Sequence, residues 1–280
     1  MAALAGPKAW ILTIGNEILI GRVVNTNAAW LARRLTFLGF SVERIVVPPD
    51  DPSEVAEEIR RALSRPAVKL IVTTGGLGPT YDDRTLEAVA MALNRQLKLN
   101  EEALAWIREK YEGGGLQMTK EREKMAYLPE GATPIRNPVG TAPGSLVKVN
   151  DVIIVSLPGV PAEMQAMFEE IMPSLMSIAP PLSVADCGFV VVGVPESALA
   201  PYIEDSERKN PGCYVKSHPK GHEIRGPVLE IRVLASGPSA REARERALRA
   251  LEAVKAGARA LGGEITAEDC AQEEGQQPRA

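Results

Sequence analysis

The chemistry of this chain concentrates in residues 69–86, KLIVTTGGLGPTYDDRTL, where an apolar run ends in Gly75, Gly76 and Gly78 and is followed by Asp82 and Asp83. Glycines between a buried strand and a helix let the backbone approach a ligand closely and turn free N–H groups toward it, and the start of the helix adds partial positive charge. Phosphate or another oxyanion is the natural ligand. The known phosphate loops do not fit: there is no GxxxxGK[ST], and Gly76-x-Gly78 is followed at the third position by Tyr81. Two aspartates beside a phosphate repel it unless a cation intervenes, and Mg²⁺ prefers one or two carboxylates plus phosphate oxygens and water. Asp82 and Asp83 are therefore candidate metal ligands. A second reading of the same residues has one aspartate cap the helix at Thr85 while the other accepts a hydrogen bond from a substrate hydroxyl or amine.

The elements around this loop alternate. AWILTI reads as a strand, followed by a helix from Asn25 to Leu38 with Trp30, Leu31, Leu35 and Leu38 on its apolar face and Gly39 placed to end it. SVERIVV reads as a strand, and Asp51-Pro52 supplies an N-cap and a first-turn proline for VAEEIRRAL. KLIVTT and a helix from Thr85 to Leu93 continue the scheme, which predicts a mostly parallel sheet covered on both faces, an α/β fold with three α/β/α layers. A helix from Glu101 to Tyr111, the glycines 113–115 and the loop NPVGTAPG come next, then a hairpin of GSLVKV and VIIVSL about Asn150-Asp151. LPGVPAEMQAMFEEI repeats strand, glycine turn and helix, with Met164, Met167 and Phe168 as core, and Pro173 and Pro180-Pro181 read as a linker. The remainder predicts a smaller α+β unit of β-α-β-β-α order, and the polar AEDCAQEEGQQPRA is expected to fray. The expected division is 1–178, 179–265 and a tail, 266–280.

With 280 residues and 45% hydrophobic residues the chain can build a large core. A formal charge of -4 argues against a protein made mainly to grip nucleic acid or an anionic membrane. Cys187, Cys213 and Cys270 are odd in number and far apart, which indicates neither a disulfide framework nor a zinc site and points to a reducing, cytoplasmic setting. The apolar run near the N-terminus stops at Gly15, shorter than a signal peptide needs, and no stretch approaches ~18 continuous apolar residues, so a soluble protein is expected.

TTGGLGPTYDD resembles the signature of the CinA-type competence/damage-inducible proteins, whose N-terminal domain belongs to the MoaB/Mog molybdopterin-binding superfamily. IGNEILIG with NTNAAWLARRLTFLG, NPVGTAPG and LPGVPAEM resemble the other signature loops in the family's order, over residues 10 to 172. The resemblance implies a molybdopterin-binding-like fold whose loops gather at the ends of the strands. It implies that Gly75, Gly76 and Gly78, with Pro79 and Thr80, bind a phosphate, and that Asp82 and Asp83 stand where the superfamily places essential acids. Asn16 and Glu17 would lie on the first loop, and Asn25, Thr26 and Asn27 at the head of its helix. Asn137, Gly140, Pro143 and Gly144, with Pro158, Gly159 and Pro161, would form the opposite wall. Dimers or trimers are the superfamily's habit. Leu77 stands where the molybdenum-inserting branch usually has threonine, and Tyr81 where many CinA-type chains have histidine. This chain ends without room for the C-terminal deamidase domain of longer relatives, so deamidation is not expected.

The family associates such domains with ADP-ribose pyrophosphatase activity. In that scheme Glu17, Asp82 and Asp83 bind Mg²⁺, Mn²⁺ or Co²⁺ or orient water, while the glycines hold a phosphate. Histidine base chemistry is disfavoured because the chain has only His218 and His222, both outside the main domain. The rival within the fold is molybdopterin binding or adenylylation, as in molybdenum cofactor biosynthesis. A third reading, a non-catalytic nucleotide sensor or RNA-associated adaptor, rests on Lys216, His218, Lys220, His222 and Arg225. A solvated hairpin loop explains those residues more simply, because no GxxG clamp or set of stacking aromatics accompanies them. Trp30 is expected to pack beneath the first loop.

Overall fold

The computed structural model of the chain describes residues 6–272. Strand β1 (Lys8–Thr13) leads through the one-turn α1 (Asn16–Leu19) to α2 (Thr26–Phe37), β2 (Ser41–Val46), α3 (Pro52–Leu63), β3 (Val68–Thr74) and α4 (Thr85–Ala92). There follow β4 (Leu97–Leu99), α5 (Glu101–Gly113), α6 (Lys120–Lys124), β5 (Tyr127–Pro129), β6 (Thr133–Ile135), β7 (Gly144–Val149), β8 (Val152–Leu157) and α7 (Pro161–Met176). The chain ends in β9 (Ser183–Val192), α8 (Glu196–Lys209), β10 (Cys213–Pro219), β11 (Val228–Gly237), α9 (Ala240–Ala260) and β12 (Glu264–Gln272). Residues 7–35 and 42–178 form one compact unit, and the chain from 179 onward forms another together with 36–41.

In the first unit the sheet runs β2-β1-β3-β8-β7-β6, and its centre β1, β3 and β8 is parallel. β7 turns back as the expected hairpin partner of β8. β1 is buried on both faces: Trp10 and Leu12, with Ile14 just past its end, join Val55, Ile59, Ala88 and Val89 of α3 and α4, while Ala9 and Ile11 between them are equally buried. Asp51 caps α3, accepting from the amides of Ser53 (2.7 Å) and Glu54 (3.3 Å), with Pro52 in the first turn. Met164, Met167 and Phe168 of α7 are buried in the core.

Two expectations change here. Trp30 meets Phe168 edge-on at 5.4 Å instead of lying under the first loop, because the apolar face of α2 turns it toward α7. Pro173 lies inside α7, not in a linker. So near the C-terminal end of the helix a proline removes only one backbone bond. A satellite cluster forms beside the sheet, where Leu77, from the glycine loop, packs with Leu104 and Ile107 of α5 and with Met125 and Leu128.

The second unit is an antiparallel sheet of order β10-β11-β9-β12 with α8 and α9. It departs from β-α-β-β-α by β12, which pairs with β9 over residues expected to fray. Partners hold this polar strand: Lys255, buried on α9, donates to Glu268 at 2.7 Å, and Arg232 pairs with Asp269 and Asp186. Cys270 sits in register with Cys187 and the two form a disulfide. The cysteine spacing therefore does not argue for a reducing setting; strand pairing brings together residues that the sequence separates. Residues 273–280 of the expected tail lie outside the described residues. Among the described residues no helix is long and apolar enough to cross a membrane.

Cys213 is buried and free, and burial pushes its thiol above the ordinary value, so less of it is thiolate near neutral pH. Thiol titration at pH 8 is expected to find no fast-reacting thiol in the native protein, one after unfolding without reductant, and three after reduction. Three thiols on unfolding without reductant would contradict the Cys187–Cys270 link.

Candidate functional site

The glycine loop leaves β3 and enters α4 under tight local control. Gly75 donates to Leu157 O at 3.0 Å, which fastens the loop to the end of β8. Thr85, buried at the head of α4, donates its hydroxyl to Gly75 O at 2.8 Å and its amide to Gly76 O at 3.1 Å. Gly75 and Gly76 have φ of 104° and 67°, and a Cβ would strike Ile14 O at the first and Thr85 Oγ1 at the second, so both positions require glycine. Leu77 is buried in the satellite cluster and anchors the loop. The amides of Gly76, Leu77 and Gly78 make no hydrogen bond within the described residues.

These residues line a cleft of about 410 Å³. Gly75, Pro79, Thr80, Asp82, Asp83 and Glu17, all expected at the site, line it, as do Pro158 and Gly159 from the opposite wall. Asp50 and Glu163 also line it, so among the described residues five carboxylates surround the cleft and no Lys, Arg or His does.

The two adjacent aspartates differ. Neither caps α4, whose N-cap position is Arg84 with no side-chain bond. Asp83 closes the loop by accepting from the Thr80 amide (2.9 Å), and Lys124 ties Thr80 O. Asp82 is exposed, and the Thr80 hydroxyl together with its own backbone N–H holds its carboxyl below the usual carboxylate range. It is the better placed of the two to meet a ligand. Among the described residues no three His, Cys, Asp or Glu side chains converge to hold a metal by themselves. The donor set still suits Mg²⁺ that completes its shell with substrate phosphate oxygens and water, since that ion needs only one or two carboxylates.

Other expected residues stand elsewhere. Asn25, Thr26 and Asn27 border a smaller adjoining cavity of about 80 Å³. Asn16 is held by its amide to Asp50 at 2.8 Å. Asn137, Gly140, Pro143 and Gly144 stand behind the wall, and Thr141 and Ala142 line it instead. Asn137 is buried; it donates to Ala142 O (3.0 Å) and Glu163 Oε2 (2.7 Å) and accepts from the amides of Val139 (3.1 Å) and Gly140 (2.7 Å). It shapes the wall and fixes Glu163. Glu163 was legible only as part of LPGVPAEM, and Asp50 had no signal beyond its place before the α3 cap. In the second unit, residues 220–227 join β10 to β11, Lys220 pairs with Glu230 at 3.0 Å, and His222 Nδ1 accepts from the amides of Ile224 and Arg225, as in a self-ordered hairpin loop.

Asn137→Leu removes four hydrogen bonds, one of them to the buried Ala142 O; it is expected to lower unfolding free energy by roughly 1–3 kcal/mol, read from the urea midpoint at unchanged slope. A change under about 0.5 kcal/mol, the scale of an ordinary surface substitution, would contradict the structural role.

A family described as "Probable molybdopterin binding domain" matches residues 10–177 of this chain. A protein of Aeropyrum pernix is 56% identical over 264 residues, which cover 94% of this chain and 98% of that one. A protein of Pyrobaculum arsenaticum is 53% identical over 236 residues, covering 84% of this chain and 88% of that one. Among solved structures, the protein CinA of unknown function from Thermoplasma acidophilum is 44% identical, covers 60% of this chain and 98% of its own, and superposes with a TM-score of 0.57.

Proposed function

The chain belongs to the probable molybdopterin-binding domain family, in its CinA-type branch, and on that premise we propose that the cleft binds a nucleotide or pterin phosphate and cleaves a nucleoside diphosphate-linked substrate such as ADP-ribose. One observation carries this reading: the amides of Gly76, Leu77 and Gly78 lack internal partners in a cleft lined by carboxylates and by no cationic side chain. Backbone amides attract an anion that the side chains repel, and a divalent cation between them reconciles the two. Asp82 is the main protein ligand proposed for Mg²⁺, Mn²⁺ or Co²⁺, with Glu17 lining the same cleft and Asp83 chiefly holding the loop. The cation, when bound, supplies charge neutralisation and a more acidic water.

In the cleavage itself water adds across the P–O–P bridge. Its oxygen bonds to one phosphorus, the bridging oxygen leaves with the other, and ADP-ribose gives AMP and ribose 5-phosphate. The glycine amides hold one phosphate, and Glu17, exposed at the cleft, accepts the proton of the attacking water. The homo-oligomer expected of the superfamily is not needed for this arrangement, since all the residues named come from one unit of one chain.

The test is AMP release from ADP-ribose with and without Mg²⁺. Asp82→Asn is expected to slow it by about 100-fold or more, the scale of losing one charge-stabilising group, with the melting temperature unchanged. Equal turnover in the variant, or turnover indifferent to chelator, would overturn the hydrolytic reading. Tight molybdopterin binding with no ADP-ribose turnover would assign the cleft to a pterin phosphate alone.

A further inference from the structure

The small cavity beside the cleft contains two polar side chains with nothing to bond. Thr13 is 3% exposed and Asn27 7% exposed, yet Thr13 Oγ1 and Asn27 Oδ1 have no hydrogen-bond partner. Both residues line the cavity, along with Ile18, Val23 and Val24. Leaving such groups unpaired destabilises the empty fold, so a partner that arrives with a ligand gains what the fold lacks.

The network fixes what that partner must be. Thr74 Oγ1 donates to Pro158 O at 2.8 Å, so it can only accept from Asn27 Nδ2, 3.0 Å away. Asn27 Nδ2 also donates to Gly159 O at 2.8 Å, and a carbonyl accepts only. Flipping the carboxamide would set oxygen against two acceptors. Oδ1 is therefore held as an acceptor waiting for a donor. Thr13 and Thr74 are register partners in parallel strands and project to the same face, which brings the Thr13 hydroxyl beside this carboxamide. A ligand hydroxyl answers both groups: it donates to Asn27 Oδ1 and accepts from Thr13 Oγ1–H. Ile18, Val23 and Val24 offer apolar surface to the carbon frame that carries it.

Ile14, Glu17 and Gly159 line both this cavity and the cleft, so one molecule can occupy the two. We propose that the side cavity is a second subsite that takes a sugar hydroxyl of a ligand whose phosphate lies on the glycine loop, and that Thr13 and Asn27 select for it. The placement rests on the phosphate reading of the cleft; the donor requirement does not.

Calorimetric titration with ADP-ribose, used as its uncleavable methylene-bridged analogue, and with inorganic pyrophosphate, both in Mg²⁺, separates the two ideas. Thr13→Val deletes a hydroxyl that bonds to nothing in the fold, so its melting temperature is expected to stay level or rise. Its dissociation constant for ADP-ribose is expected to rise by roughly 3–10-fold, the value of one hydrogen bond, with pyrophosphate unaffected and Thr13→Ser restoring wild-type affinity. Equal ADP-ribose affinity in Thr13→Val and wild type, or wild type binding ADP-ribose no more tightly than pyrophosphate, would reduce the cavity to a water site and overturn the subsite. If wild type binds neither probe, the phosphate reading fails. The subsite is then judged with D-ribose alone: movement of the Thr13 methyl and Asn27 carboxamide NMR signals supports it, and unmoved signals overturn it.

Discussion

Thr85 is the residue on which the cleft depends. Its hydroxyl and amide take up the carbonyls of Gly75 and Gly76, while Gly75 N–H is bound to the end of β8. With the carbonyls of Gly75 and Gly76 engaged, the amides of Gly76, Leu77 and Gly78 are left free to meet a ligand. Leu77 keeps this arrangement from collapsing because its side chain is buried among α5 and its neighbours. A rigid row of free N–H groups at the head of a helix costs little to organise when an anion arrives, since the backbone is already in place.

The electrostatics of the cleft oppose that row. Glu17, Asp50, Asp82, Asp83 and Glu163 surround it with no basic side chain among the lining residues. Lys124, near enough to matter, is engaged by Thr80 O. Division of labour between the adjacent aspartates follows from Thr80: Asp83 is drawn in to close the loop, and Asp82 stays exposed and ionised. A carboxylate kept charged beside an anion cradle is useful if a cation bridges the two, and unfavourable otherwise. The smaller cavity extends the same logic, because Thr74, Asn27 and Gly159 lock the strand ends and in doing so leave one acceptor unserved.

Much of this was legible in the sequence where one local rule governs one residue. Asp51-Pro52 announces the start of α3, and the closely spaced Gly75, Gly76 and Gly78 announce a backbone site, because capping and positive φ depend on neighbours only. Legibility fails where a residue's role is set by a distant partner. β12 carries almost no apolar alternation; Lys255, Arg232 and Cys187 hold it in the sheet, and none of these is near it in sequence. Asn137 reads like a ligand-binding asparagine in a glycine loop and is instead the buried peg that orders Val139, Gly140 and Glu163. Whether Asp82 or Asp83 faced outward was likewise undecidable before Thr80 was seen between them.

The central claim is that the amides of Gly76, Leu77 and Gly78 receive a phosphate by way of a divalent cation. Its most direct measurement is the backbone amide NMR spectrum of these three residues during titration with inorganic pyrophosphate, with and without Mg²⁺. All three signals are predicted to shift together, saturably, and only when Mg²⁺ is present. Signals that stay still in Mg²⁺ while pyrophosphate binds elsewhere, or that shift equally in the presence of chelator, would contradict the account.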